Sequence, residues 1–298
     1  MRVLIVGCGY VGLPLGAELV RQGNQVFGLR RSASGDDELK AAGITPLHAD
    51  ITAGESLASL PHDFDWVVNC AASGGGSADD YRRLYLQGAR NLIEWLFASP
   101  PKKFVYTSST SVYGQNDGSL VKENSPAEPQ ADTAKVLLET EKALLDAALQ
   151  KKFPAVILRV AGIYGPDRGH WFKQFLEDEA RLDGKGERIL NMIHRDDLVG
   201  VIIAALKSGR PGEIYNAVDD EPVSQLKFFE WLAASLDKPL PPTALEDAEV
   251  NRKRGVTNKK VSNRRLKMEL GYQFKHPTFR QGYTAELIRL DRADLPSG

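Results

Sequence analysis

The residues that can do chemistry begin at the seventh position. Val3-Leu4-Ile5-Val6 is an apolar run, and Gly7-Cys8-Gly9-Tyr10-Val11-Gly12 follows it directly. This is a G-x-G-x-x-G turn between a strand and a helix predicted over Val11–Arg21, the order a dinucleotide pyrophosphate needs. Gly7 permits the tight turn, Gly9 lets the backbone approach the phosphates, and Gly12 lets helix and strand pack closely. The N–H groups at the helix start have no helical partners and suit an anion. An acid at the end of the second strand would accept the ribose hydroxyls of NAD. That strand instead ends Phe27-Gly28-Leu29-Arg30-Arg31-Ser32. Arg30 and Arg31 accept nothing, but a guanidinium forks onto a 2′-phosphate, which favours NADP over NAD as cofactor. A solvated basic loop is the alternative. Asp50 offers an acceptor for an adenine amino group, or is a surface acid.

These groups need a sheet to hold them. Strands are predicted at Val3–Val6, Gln25–Leu29, Thr45–His48, Trp66–Cys70, Phe104–Thr107 and Val156–Val160. Helices are predicted between them, including Asp36–Ala42, Asp79–Ala98 and Thr133–Leu149. Alternation of this kind predicts a Rossmann-type α/β fold with a doubly wound, mostly parallel sheet. Beyond Gly165 the pattern loosens. Trp171–Leu182, Asp196–Lys207, Gln225–Leu236 and Asn263–Leu270 read as helices, with Asn263 as a candidate cap. Ile189–Ile193 and Glu213–Ala217 read as extended. The expected division is a dinucleotide-binding domain over 1–165, with 189–220 returning to it. Residues 166–188 and 221–298 would form a smaller C-terminal cap on the substrate side.

Composition narrows the class. The 298 residues are 42% hydrophobic, enough for a substantial core, and the net charge of -1 argues against a nucleic-acid surface. No long apolar run predicts a membrane span, and the opening MRVLIVG reads as a strand rather than a leader. A cytoplasmic protein is expected. Cys8 and Cys70 are the only cysteines and read as packed thiols. The five histidines lack ligand spacing, so no metal site is predicted. No G-x-S-x-G elbow is present, which disfavours a serine hydrolase.

Four further signatures follow in order: Asn69-Cys70-Ala71-Ala72, Thr107-Ser108-Ser109-Thr110-Ser111-Val112-Tyr113-Gly114, Arg159-Val160-Ala161-Gly162-Ile163-Tyr164-Gly165-Pro166, and Ile193-His194-Arg195-Asp196-Asp197-Leu198. With Val261-Ser262-Asn263-Arg264-Arg265-Leu266 and Leu270-Gly271-Tyr272, the chain resembles the extended short-chain dehydrogenase/reductase family, in its NAD-dependent epimerase/dehydratase-like branch. The resemblance implies that Tyr10, Val11, Ile51, Ala71, Ala72, Thr107 and Lys135 join the cofactor site. It also implies Ser109 and Lys135 as members of a Ser/Tyr/Lys catalytic set. In that set a phenol moves the proton at the substrate oxygen, and the ammonium and the nicotinamide charge favour its ionised form.

The phenol is missing. Four residues before Lys135 stands Ala131, which has no proton to move. Tyr85 and Tyr164 are the candidate replacements. Tyr113 reads as a packing residue, His194 as a packing or substrate-side residue, and Asp132 and Thr133 are no obvious substitutes. Two functions stay open. One is an NADP-preferring oxidoreductase or epimerase-like enzyme acting on a hydroxyl or carbonyl, with simple reduction easier to accept than epimerisation. The other is a catalytically silent NADP(H)-binding sensor or partner protein.

On the substrate side, Arg168, His170, Trp171, Lys173, Arg181, Lys185 and Arg188 suit a phosphate- or carboxylate-bearing small molecule such as a nucleotide sugar, or form a solvated face. Asn191 and Arg195 fall where relatives contact substrate. The run Arg252-Lys253-Arg254, Lys259-Lys260 and Arg264-Arg265 is the most basic stretch, yet Glu246, Asp247 and Glu249 precede it. It reads as part of the cap, with Arg264 near the substrate. No nucleic-acid or membrane partner is expected, and a homodimer is open.

Overall fold

The apolar runs do become a sheet. In the computed structural model, which describes residues 1–244 and 257–293, seven strands pair in parallel. In chain order they are β1 (Arg2–Val6), β2 (Gln25–Arg30), β3 (Thr45–His48), β4 (Trp66–Asn69), β5 (Lys103–Ser109), β6 (Ala155–Val160) and β7 (Ile214–Ala217). Their order across the sheet is β7-β6-β5-β4-β1-β2-β3. The reversal between β1 and β4 opens a crevice at the strands' C-terminal ends, where such sheets bind ligands.

Alternation within β1 supplies both faces. Leu4 and Val6 join one core with Tyr106, Leu92 and Leu137, and Val3 and Ile5 join the other with Leu15, Leu19 and Ile202. Helix Asp132–Lys151 covers the first face; helices Gly12–Arg21 and Arg195–Ser208 cover the second. Fully burying one such leucine contributes about 1.5–3 kcal/mol. A third core, built from Tyr164, Phe172, Phe228, Phe229, Phe279 and Tyr283, lies under the later helices.

Several elements depart from the sequence reading. The helix expected over Trp171–Leu182 is His170–Leu176, because Asp178 turns the chain into the left-handed region at φ 59°. The extended Ile189–Ile193 splits at Asn191: Ile189–Leu190 pairs antiparallel with Val223–Ser224, and Met192–His194 pairs in parallel with Gly162–Tyr164. Asn263 does not cap its helix with its side chain. Its amide donates to the Val218 and Asp219 carbonyls instead. Helix Phe279–Ala293 lies in a stretch without a predicted element. The segment Ala78–Leu96 carries a π-helical stretch, Arg82–Gln87, in its middle.

Candidate cofactor and substrate cleft

A cleft of about 1510 Å³ runs from the glycine turn across the strand ends to the later helices. Gly7 adopts φ 90°, and a Cβ there would stand 2.5 Å from the Ala71 Cα. A Cβ on Gly12 would stand 2.4 Å from the Gly7 carbonyl oxygen. Gly9 faces open space, and no side chain among the described residues caps the helix beginning at Gly12. A bare turn with an uncapped helix start is a cradle for a pyrophosphate, so the residues present fit a dinucleotide.

Around it the predicted cofactor residues Gly7, Gly9, Tyr10, Val11, Arg30, Arg31, Asp50, Ile51, Ala71, Ala72 and Thr107 all line the cleft. Tyr10 is held between cations, with Arg168 and Arg195 at 5.0 and 5.3 Å from its ring centre. Asp50 accepts from the Thr52 N–H at 2.9 Å, which fixes the acid at the loop's start.

The two arginines divide. Arg30 is folded back: its Nε and Nη2 donate to the Cys8 carbonyl, its Nη1 to the Gly35 carbonyl at 3.1 Å, and it pairs with Glu38 at 3.1 Å. It braces the glycine turn from behind. Arg31 is exposed at the cleft edge beside Ser32. The phosphate role foreseen for both therefore fits Arg31 better, because Arg30's donors are already engaged.

The catalytic candidates are also dispersed. Ser109 lines the cleft and accepts the Ser111 N–H at 3.2 Å. Lys135 does not line it. Its side chain is 52% exposed and its ammonium pairs with Asp132 at 2.8 Å. With alanine at 131, a carboxylate three residues away is what holds the charge. Tyr85 borders the cleft within the π-helical stretch, and its hydroxyl accepts the Ser73 N–H at 3.1 Å. The Tyr164 ring stacks on Tyr283 at 4.3 Å, and its hydroxyl is buried against Gly282 with no hydrogen-bond partner among the described residues. Burial, and then the charge of Asp219, push that phenol far above its usual range. Tyr164 is thus poorly placed as an acid or base, because its oxygen faces helix Phe279–Ala293.

Two packing readings gain partners. Tyr113 donates to the Asn216 side chain at 2.8 Å beneath Arg159. His194 lies beside His276, 4.0 Å between ring centres, and His276 is 3.0 Å from Asp197. The groups His194, Asp197 and His276 come close enough for a metal. Asp197, however, already takes the Lys275 and His276 N–H groups and the Tyr272 hydroxyl. On the substrate side Arg168, His170, Trp171, Lys173, Arg188 and Asn191 line the cleft, while Arg181 and Lys185 do not. Arg195 stacks on Tyr10 as above. The basic stretch does not form one patch among the described residues. Lys259 is buried in the cleft wall, Arg264 is exposed, and Arg265 pairs with Glu213 and Glu269. Glu246, Asp247, Glu249, Arg252, Lys253 and Arg254 lie outside the described residues. No helix among the described residues is long and apolar enough to cross a membrane.

Comparison with known proteins agrees with this geometry. The model of the NAD dependent epimerase/dehydratase family matches residues 3–217. The chain belongs to that family. Protein YeeZ of Escherichia coli K12 is 28% identical over 93% of this chain and 96% of its own length. A solved structure of a putative NAD-dependent epimerase/dehydratase from Methylobacillus flagellatus is 32% identical, covers 97% of this chain and 98% of that one, and has a TM-score of 0.78. The dTDP-glucose 4,6-dehydratase DesIV of Streptomyces venezuelae, solved with NAD and TYD bound, shares the fold. It has a TM-score of 0.84 at 22% identity, over 99% of this chain and 98% of its own. In this family member, position 131 is an alanine that forms the N-cap of helix Asp132–Lys151 without a side-chain cap.

Proposed function

We propose that the protein is an NAD(P)-dependent oxidoreductase of the epimerase/dehydratase family, NADP-preferring, that acts on a hydroxyl or carbonyl of a small molecule carrying phosphate or carboxylate, such as a nucleotide sugar. One observation carries the reading. A single cleft joins the phosphate cradle at Gly7–Gly12 to Ser109 and on to Arg168, Lys173 and Arg188. A bound nicotinamide dinucleotide would supply or accept the hydride there. The chain's own part is to seat the pyrophosphate on the turn, hold the substrate oxygen near Ser109, and hold its anionic end by the cations. The protein would work in the cytoplasm.

The preference for NADP rests on Arg31 at the cleft edge and on the absence of an acid at the end of β2. Calorimetry with NADPH and NADH tests it. Arg31→Ala should weaken NADPH binding about 10- to 100-fold, the worth of a hydrogen bond to a charged group, and leave NADH unchanged. Tighter binding of NADH to the wild type would reverse the preference and align the protein with its NAD-bound neighbour.

Ala131 favours a second reading, a silent NADP(H)-binding sensor or partner protein. It predicts binding without hydride exchange to any alcohol or carbonyl, so turnover assays on the loaded protein separate the two.

A further inference from the structure

Among the described residues Lys259 is the only buried lysine, at 3% exposure, and it sits in the wall of the cleft. Buried ammonium groups are ordinarily paired with a carboxylate. Lys259 has no such partner among the described residues. Its Nζ donates to the Tyr113 carbonyl at 2.9 Å and to the Thr257 hydroxyl at 2.7 Å. An ammonium has three N–H groups, so one is left over.

The amine is firmly mounted. Asn191 fixes the backbone that carries it, donating to the Lys259 carbonyl at 2.9 Å and accepting the Val261 N–H at 2.8 Å. Its tie to Tyr113 places it on the turn that follows Ser109. That turn presses on the segment leading to position 131, since a Cβ on Gly114 would stand 2.1 Å from the Glu128 carbonyl oxygen. Lys259 is thereby tied, from the opposite end of the chain, to the turn that follows Ser109 and packs on the segment before position 131. Tyr164 faces helix Phe279–Ala293, Lys135 pairs with Asp132, and the Tyr85 hydroxyl takes up the Ser73 N–H.

We propose that Lys259 is the proton donor of this cleft, its spare N–H bonded to the oxygen of a carbonyl substrate. The proposal rests on the oxidoreductase reading above. In the reduction, the carbonyl carbon would gain the hydride that a bound reduced nicotinamide dinucleotide supplies. The π pair of the C=O bond moves to oxygen and takes a proton from Lys259, breaking one N–H bond and forming one O–H bond. The products are the alcohol, the oxidised dinucleotide and a neutral amine, which regains its proton from water.

Desolvation lowers the Lys259 amine to about 8, close to working pH, where a donor is most effective. Among the described residues the charged groups beside it are Arg188, whose Nε donates to the Thr257 carbonyl and whose Nη1 pairs with Asp183 at 3.5 Å, and Lys260, the next residue in the chain. The Tyr113 phenol is turned away to Asn216.

Reductive methylation of the full-length protein across a pH series, read lysine by lysine by mass spectrometry, tests the proposal without turnover. The midpoint for Lys259 should lie near 8. It should be lower with oxidised than with reduced dinucleotide bound, by about half a pH unit or more, because only the oxidised ring carries positive charge. Equal midpoints in the two loaded forms would overturn the proposal. Lys259→Met should lower kcat about 100-fold or more at unchanged dinucleotide affinity, and Lys259→Arg should keep the charge without restoring turnover. Methionine at 259 with kcat within threefold of wild type also overturns it, while leaving the oxidoreductase reading intact. Failure of the wild type to bind either dinucleotide overturns that reading first, and this proposal with it.

Discussion

A methyl group is the smallest change the glycine turn can register. At Gly12 it would meet the Gly7 carbonyl oxygen at 2.4 Å, which is backbone and cannot swing aside. Gly12→Ala should therefore weaken dinucleotide binding about 5- to 100-fold, the equivalent of about 1–3 kcal/mol of overpacking, in a calorimetric titration. The turn was legible from sequence because its demands are local: three glycines at fixed spacing after an apolar run. Arg30 was not. Its guanidinium serves the Cys8 and Gly35 carbonyls, and nothing in a linear sequence says which carbonyls a fold will bring near an arginine. Lys259 was hidden for a related reason. It sits in a basic run whose members part company in three dimensions, one into the cleft and another onto Glu213 and Glu269.

Every strand of the central sheet was readable, at four to seven residues each, whereas helix Phe279–Ala293 was not. The two-residue pairings, Ile189–Leu190 with Val223–Ser224 and Leu120–Val121 with Lys260–Val261, were not, because two residues carry no period. Helix Asp132–Lys151 carries one buried acid on its sheet-facing side. Glu141 binds Arg159 of β6 at 2.7 Å and accepts the Ser108 hydroxyl of β5 at 2.5 Å, with both charged side chains nearly inaccessible. The pair fastens the helix across two strands. Glu141→Gln leaves the guanidinium buried without its counter-charge and should cost about 3–5 kcal/mol, read as the loss in a urea-unfolding free energy. A loss under 1 kcal/mol would mean that water reaches Arg159.

At the scale of the whole molecule, the later chain is tied to the sheet through helix Arg195–Ser208. Burial, together with the charge of His276, holds His194 below its usual value of 6.5. Burial would raise Asp197, but hydrogen bonds from His276, Lys275 and Tyr272 outweigh it and hold the acid below 3.8. Both groups bind protons more readily in the unfolded chain. Stability from His194 is therefore lost as pH falls below 6.5, and that from Asp197 as pH falls below 3.8. Thermal melts should show Tm declining in two stages on acidification. His194→Gln should remove the upper stage and keep the lower; an unchanged upper stage would assign it to another group. The same tie has a consequence for how the protein is made. The phosphate cradle comes from the first dozen residues, whereas Lys259 and Tyr283 of the same cleft come from the last forty or so. During synthesis the ribosome releases the glycine turn long before Lys259 and Tyr283. On the function proposed above, a nascent chain would meet its dinucleotide first, and that dinucleotide would serve as a folding template before the far side of the cleft exists.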